Sequence, residues 1–141
     1  MKLLLVSPPP ICEYSREDAD RAIGRTAEHT ALYAAKAKAV AEELNIPYVD
    51  LWRGFLKYVG WDEKEPLHGS KAVARNLYLS VLIPDGLHFS DEGNRLCHQL
   101  VFSKIKEAYP ELDPAKMEMK IPEWDNKNIF RKLREEAERL Q

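Results

Sequence analysis

The chain reads as an α/β protein built on a parallel sheet. Three observations carry that reading. Leu3, Leu4, Leu5 and Val6 are continuously apolar, without alternation. That is the pattern of a parallel strand covered on both faces. Residues 2–7, 27–44 and 46–52 then run strand, helix, strand, the right-handed βαβ unit of parallel sheets. Pro8-Pro9-Pro10 leaves the first strand at its carboxyl end, the edge at which an open α/β sheet carries its site. The plain alternative is that the prolines only stop the strand.

A doubly covered strand needs neighbours on both sides, and chains rarely begin on their central element. The opening of this one is therefore expected to lack sequence upstream. Residues 12–26 are charged and read as a loop or a short exposed helix. Residues 27–44 form an alanine-rich helix whose inward face is expected to be Tyr33, Ala37, Val40, Ala41 and Leu44, at helical spacing. Asn45 is its stop. Residues 46–52 form the second strand on the strength of Val49 and Leu51, and residues 53–60 a short helix. Residues 61–70 are an excursion marked by Pro66 and Gly69. Residues 72–82 read as a helix with Leu77, Val81 and Leu82 inward, and Pro84 resets the backbone after it.

Ser90 is placed to cap a further helix, with Asp91 and Glu92 in the first turn, where the helix dipole favours them. Leu96, Cys97, Leu100, Val101, Ile105 and Ala108 run as one apolar stripe to Tyr109, and Pro110 ends it. Residues 114–124 are irregular, with Met117, Met119, Ile121 and Trp124 available to pack. Asp125 can cap a last helix to Gln141 that uses Phe130, Leu133, Ala137 and Leu140. Its 131–139 stretch mixes both charge signs, as solvated faces do. No repeat and no low-complexity linker interrupts the chain.

Composition narrows the function. The 141 residues suffice for one domain, and a formal net charge of -2 gives no reason to expect nucleic acid or an anionic membrane as partner. The apolar run after Met1 is too short for a signal peptide, which needs about 7–15 such residues. No stretch approaches the roughly 20 apolar residues of a membrane span. Two cysteines, Cys12 and Cys97, stand far apart and fit a reducing compartment. A cytoplasmic protein is the expectation.

The chemistry concentrates in Asp85-Gly86-Leu87-His88-Phe89-Ser90. A carboxylate stands three residues before an imidazole, with a glycine between them for the bend. Asp85 can then hold one ring nitrogen of His88 as N–H and leave the other free as a base. The bland alternative is a surface polar pair or a capping arrangement. Against it stand the helix start just after the pair, the βαβ-type segments before it, and Leu87 and Phe89 as apolar anchors. His29 and His98 fall on helices and His68 in a loop. A metal set of Asp85, His88 and His98 can be drawn, but the spacing does not suggest one, and no cofactor is expected. Cys97 falls on its helix's apolar stripe, and Cys12 would need a depressed pKa to react.

No serine offers itself as nucleophile. Ser90 serves as a cap, Ser103 is mid-helix, and Ser15, Ser70 and Ser80 lack a Gly-rich turn. Ser7 sits at the functional edge, but Pro8 has no N–H to help form an oxyanion hole. Ser7, Ser15 or Cys12 as a substitute nucleophile remains the minor alternative.

Asp85-Gly86-Leu87-His88-Phe89-Ser90, followed by Gly93, resembles the last conserved block of the GDSL, or SGNH, ester hydrolases. Val6-Ser7-Pro8-Pro9-Pro10, residues 39–44, Ile46-Pro47-Tyr48-Val49-Asp50-Leu51-Trp52, and residues 60–82 and 110–124 are similar to the isoamyl acetate-hydrolysing branch, particularly its fungal-looking members. The resemblance implies a three-layer α/β/α sandwich, SGNH-hydrolase-like, around a flavodoxin-like parallel sheet. It implies that Asp85 orients the imidazole and that His88 is the catalytic base. The family's serine, its oxyanion-hole glycine and its asparagine lie upstream of the segment matching Leu3. The expectation is thus a partial sandwich lacking its amino-terminal strands. Residues 1–124 would be the carboxyl-terminal part of one domain and residues 125–141 a helical tail. Alone, such a chain is expected to be inactive and marginally stable, to self-associate, or to pair with an amino-terminal half and then act on a small ester. The alternative from another class is an inactive module, or pseudoenzyme relic, that binds a partner through its sheet edge.

Overall fold

The structure, a computed structural model, describes residues 1–15, 24–117 and 129–139. It divides into two compact units, Met1–Pro110 and Glu111–Gln141. The first holds β1 (Leu5–Val6), α1 (Ala27–Glu43), β2 (Tyr48–Val49), α2 (Leu51–Tyr58), α3 (Leu77–Leu82) and α4 (Asp91–Ala108). The second holds α5 (Ile129–Arg139) and a short 3-10 turn, Pro114–Lys116. The expected boundary between residues 124 and 125 lies outside the described residues, as do Met119, Ile121, Trp124 and the Asp125 cap.

β1 and β2 pair in parallel, Leu5 opposite Tyr48 and Val6 opposite Val49. The strand, helix, strand order is therefore as expected, and the fold is a partial α/β domain with a small parallel sheet. The strands are much shorter than residues 2–7 and 46–52. Backbone bonds from Leu5 N to Pro47 O and from Ser7 N to Val49 O, 2.9 Å each, extend the ladder by only a little. Pro9, the next position in the Leu5, Ser7 series of donors, has no N–H to continue it. The Leu3 carbonyl accepts instead from the Tyr109 hydroxyl, at the end of α4. The covered-strand reading fails at Leu3 and Val6, which are exposed.

Leu51 and Trp52 belong to α2 and not to the second strand. Asp50 turns the chain there: its carboxylate accepts from Arg53 N at 2.9 Å as an N-cap. Asn45 stops α1 as expected. It takes the left-handed φ of 51°, its N–H reaches Glu42 O, and Ile46 N reaches Ala41 O. These two bonds are the Schellman pair that satisfies the last helical carbonyls.

Two faces differ from the sequence reading. In α1 the buried residues are Ala27, Ala34 and Ala41, while Tyr33, Val40 and Leu44 are exposed. Small alanines let the helix lie close to β1. In α3 the buried residues are Leu79 and Leu82, while Leu77 and Val81 face outward. The helix begins only at Leu77, capped by Asn76, and its six residues make too short a stripe to fix the face from spacing. The 12–26 segment differs at its start as well. Cys12 and Glu13 are buried, and the Glu13 carboxylate accepts from Ala27 N, at the positive end of α1.

The core is Val49, Leu51, Phe55, Leu56, Leu79, Leu82, Ile83 and Leu96, with Cys12 beside them. Phe55 stacks on Phe89 at 4.9 Å between centroids. Burying a side chain of this size contributes roughly 1.5–3 kcal/mol. α4 packs against α2, α3 and β2, and its Leu96, Cys97, Leu100 and Val101 belong to this cluster as the stripe implied. Among the described residues no helix is long and apolar enough to cross a membrane.

Candidate active site

The loop between α3 and α4 is fixed at both ends before its side chains come into play. Ile83 closes α3 and is fully buried. Gly86 N then bonds Ile83 O at 3.0 Å, with Gly86 at φ 82°, a conformation that suits glycine alone at little cost. Ser90 N bonds Leu82 O at 2.9 Å, and Ser90 Oγ accepts from Gly93 N at 3.1 Å, the expected N-cap of α4. A Cβ on Gly93 would stand 2.4 Å from Leu82 O. That position must therefore be glycine for α4 to start so close to the end of α3.

Within this frame Asp85 folds back over the bend. One carboxylate oxygen accepts from Leu87 N at 2.9 Å and from His88 N at 2.7 Å. The other meets His88 Nδ1 at 2.6 Å. Those bonds hold the Asp85 carboxyl well below the usual carboxylate range, the His88 ring first and the two backbone N–H groups next. With Asp85 ionised, Nδ1 carries the proton and donates it. Nε2 lies outside that bond. The imidazole is 78% exposed, so a reacting group can reach it. The sequence motif thus folds into the base-and-orienter geometry of a hydrolytic triad.

The third member is not beside it. Among the described residues no serine or cysteine is hydrogen-bonded to His88. Ser7 is 3% exposed, and its Oγ accepts from Trp52 N at 3.1 Å. Cys12 is 1% exposed, with its sulfur 3.6 Å from Ser80 Oγ. Ser15 closes a 3-10 turn, and Ser70 is buried, with its Oγ accepting from Ala72 N. No group of three His, Cys, Asp or Glu among the described residues could hold a metal ion. His29 and His98 lie on α1 and α4, and His68 is bonded to Asn76.

Two features escaped the sequence reading. The strap after the prolines is tied to the Asp85–His88 loop, Cys12 N to Gly86 O at 3.1 Å, and to the excursion, Glu13 N to Gly69 O at 2.8 Å. Pro8, Pro9 and Ile11 of this strap also join His29 and Tyr33 of α1 and Leu87 of the loop around one cleft. The prolines marked the edge of the sheet, but nothing in their spacing said what would stand opposite them.

Comparison with known proteins places the chain in a family. A model of the GDSL-like lipase/acylhydrolase family matches residues 1–101. A GDSL esterase/lipase of Arabidopsis thaliana is 32% identical over 131 residues, covering 86% of this chain and 46% of the relative. The isoamyl acetate-hydrolyzing esterase of Saccharomyces cerevisiae is 28% identical over 113 residues, 75% of this chain and 40% of its own length. A second Arabidopsis GDSL esterase/lipase is 32% identical over 111 residues, covering 74% and 39%. The chain thus spans less than half the length of these relatives. With a family match across most of its length and relatives at up to 32% identity, the chain belongs to the GDSL-like lipase/acylhydrolase family.

Proposed function

We propose that this chain supplies the acid–base half of a serine ester hydrolase acting on short-chain or acetate esters. The observation that carries the reading is the 2.6 Å bond between Asp85 and His88 Nδ1, with Nε2 open. In this reading His88 Nε2 takes the proton of a serine hydroxyl as its oxygen attacks the ester carbonyl. It then gives that proton to the departing alcohol. In the second half-reaction it takes a proton from water, which attacks the acyl-serine, and returns it to the serine as the acid leaves. Asp85 stays ionised throughout and steadies the imidazolium.

The serine, with the glycine and asparagine donors of the oxyanion hole, comes in this proposal from sequence outside these 141 residues. Support comes from relatives about twice as long and from the apolar residues of β1 and α1 left exposed, Leu3, Val6, Tyr33, Val40 and Leu44. A two-stranded sheet is marginal alone, so the isolated chain is expected to melt broadly or to self-associate, and to pair with an amino-terminal half. The same open edge also supports a second reading, an inactive module that binds a partner there.

The test is hydrolysis of p-nitrophenyl acetate by the chain alone, by the chain joined to the coding sequence upstream of it, and by the joined form carrying His88→Ala. The esterase reading requires background rates from the first and third and a clear rate from the second. No rate in any of them, or no serine block upstream, favours the module. A rate from the chain alone that His88→Ala abolishes would mean that one of its own residues is the nucleophile.

A further inference from the structure

Glu13 is 1% exposed, and no step proposed above uses it. Burying a carboxylate costs free energy unless it is hydrogen-bonded. Here one carboxylate oxygen accepts from Ala27 N at 2.8 Å, at the positive end of α1. The backbone around Glu13 reaches two further segments: Glu13 N bonds Gly69 O at 2.8 Å, and Cys12 N bonds Gly86 O at 3.1 Å.

Gly86 O belongs to the peptide that joins Gly86 to Leu87. The other end of that peptide, Leu87 N, donates to an Asp85 carboxylate oxygen at 2.9 Å. A peptide unit is planar and stiff, so the bond at its oxygen also sets the direction of its N–H. The second Asp85 oxygen meets His88 Nδ1 at 2.6 Å. A continuous run thus leads from the start of α1 through Glu13, Cys12 and the Gly86–Leu87 peptide to Asp85 and His88.

We infer that Glu13 is a positioning residue for the Asp85–His88 pair. Its carboxylate fixes the strap to α1, and the strap fixes the peptide that orients Asp85. For the geometry of the pair the inference stands by itself; for turnover it rests on the esterase reading above and deepens it.

Glu13→Ala would strip a buried site and endanger the fold, so the test uses two closer variants. Glu13→Asp keeps a carboxylate but is one methylene shorter. Glu13→Gln keeps both the reach and an accepting oxygen. Val49→Ala, buried in β2, controls for lost stability alone. In the 141-residue chain, nuclear magnetic resonance follows solvent exchange of the Cys12 amide and the ring nitrogen shifts of His88. Glu13→Asp should speed the exchange severalfold and move the His88 nitrogens away from a ring protonated at Nδ1. Glu13→Gln and Val49→Ala should stay near the parent. Unchanged signals in Glu13→Asp, the same changes in Val49→Ala, or no recovery in Glu13→Gln overturn the inference. Should the chain associate too strongly for that measurement, the completed enzyme decides. There Glu13→Asp should lower kcat on p-nitrophenyl acetate about tenfold with KM within about twofold, and an unchanged kcat overturns the inference. His88-dependent hydrolysis indifferent to Glu13→Asp sinks the positioning role alone. A Glu13-dependent His88 signal without His88-dependent hydrolysis in the completed enzyme sinks the esterase reading and leaves the positioning role.

Discussion

α4 and α1 are of similar length, and both carry an apolar stripe at helical spacing, yet only one of them covers it. α4 lays Leu96, Cys97, Leu100 and Val101 against the core formed with α2, α3 and β2. α1 rests on alanines and leaves Tyr33, Val40 and Leu44 exposed. The loop carrying Asp85 and His88 belongs to the α4 side, bonded to the end of α3 and capping α4. The exposed stripe belongs to the α1 side, next to a strand with exposed apolar residues of its own. Apolar spacing states which face wants cover, and the packing of these residues states which face has it. The two agree around the Asp85–His88 pair and disagree around β1.

The largest effect expected on the α4 side is chemical. In the completed enzyme His88→Ala should lower kcat/KM by about a thousandfold or more, because the base that activates the serine is gone. Asp85→Asn should lower it as well, by freeing the ring to rotate. Val40→Ala on the exposed face of α1 should leave the rate within a factor of about two, measured on the same ester. A His88→Ala variant that kept its rate would remove the reason for treating this loop as the site.

Next in size is the core beneath the loop. Phe55 is fully buried and stacks on Phe89, the residue after His88. Phe55→Ala should cost about 3–5 kcal/mol in urea unfolding. Tyr33→Ala and Val40→Ala in the isolated chain should stay within about 0.5 kcal/mol, as exposed sites do. If Val40→Ala cost as much as Phe55→Ala, α1 would have a partner in solution, and the contrast between the helices would vanish. Gly93→Ala falls between these. Its Cβ would be 2.4 Å from Leu82 O, backbone that can yield only by shifting α4 away from α3. A loss of about 1–3 kcal/mol is expected, with the Asp85–His88 geometry disturbed as well.

How much of this was legible in the sequence follows the same divide. The Asp85–His88 pair, the Ser90 cap, the Asn45 stop and the α4 stripe all depend on residues within a few positions of one another. Local chemistry fixes them, and they could be read directly. The inward face of α1, the true extent of β1 and the burial of Cys12 and Glu13 depend on partners distant in the chain. Glu13 is the sharpest case. A glutamate in a charged stretch reads as solvated, yet it is buried, and Ala27 N–H, fourteen residues on, donates to its carboxylate. The helix starting at Leu51 shows a local signal that lost to another. Val49 and Leu51 spoke for a longer strand, but Asp50 could cap, and the cap decided where the helix began. The cleft was out of reach altogether, since its walls come from three segments joined only by the fold.

The smallest effect expected is the dependence of stability on pH, and it tests the loop without any chemistry. The Asp85 carboxyl lies below its ordinary range because the His88 ring and two backbone N–H groups donate to it. A depressed folded value means that this contribution is complete above the unfolded carboxylate value of about 3.9 and is lost as pH falls below it. Asp85 is exposed, so solvent screens the pair and the change in global stability is modest. Asn at this position cannot offer two accepting oxygens at once. Asp85→Asn should therefore lower the urea midpoint at pH 7, and the gap from the parent chain should narrow as pH is taken from 5 towards 2. A gap that widened on acidification would mean that the carboxylate is strained in the loop rather than held by it. Val40→Ala, with no titrating group involved, should show no such trend, so the pH profile separates the braced loop from the open helix face by sign as well as by size.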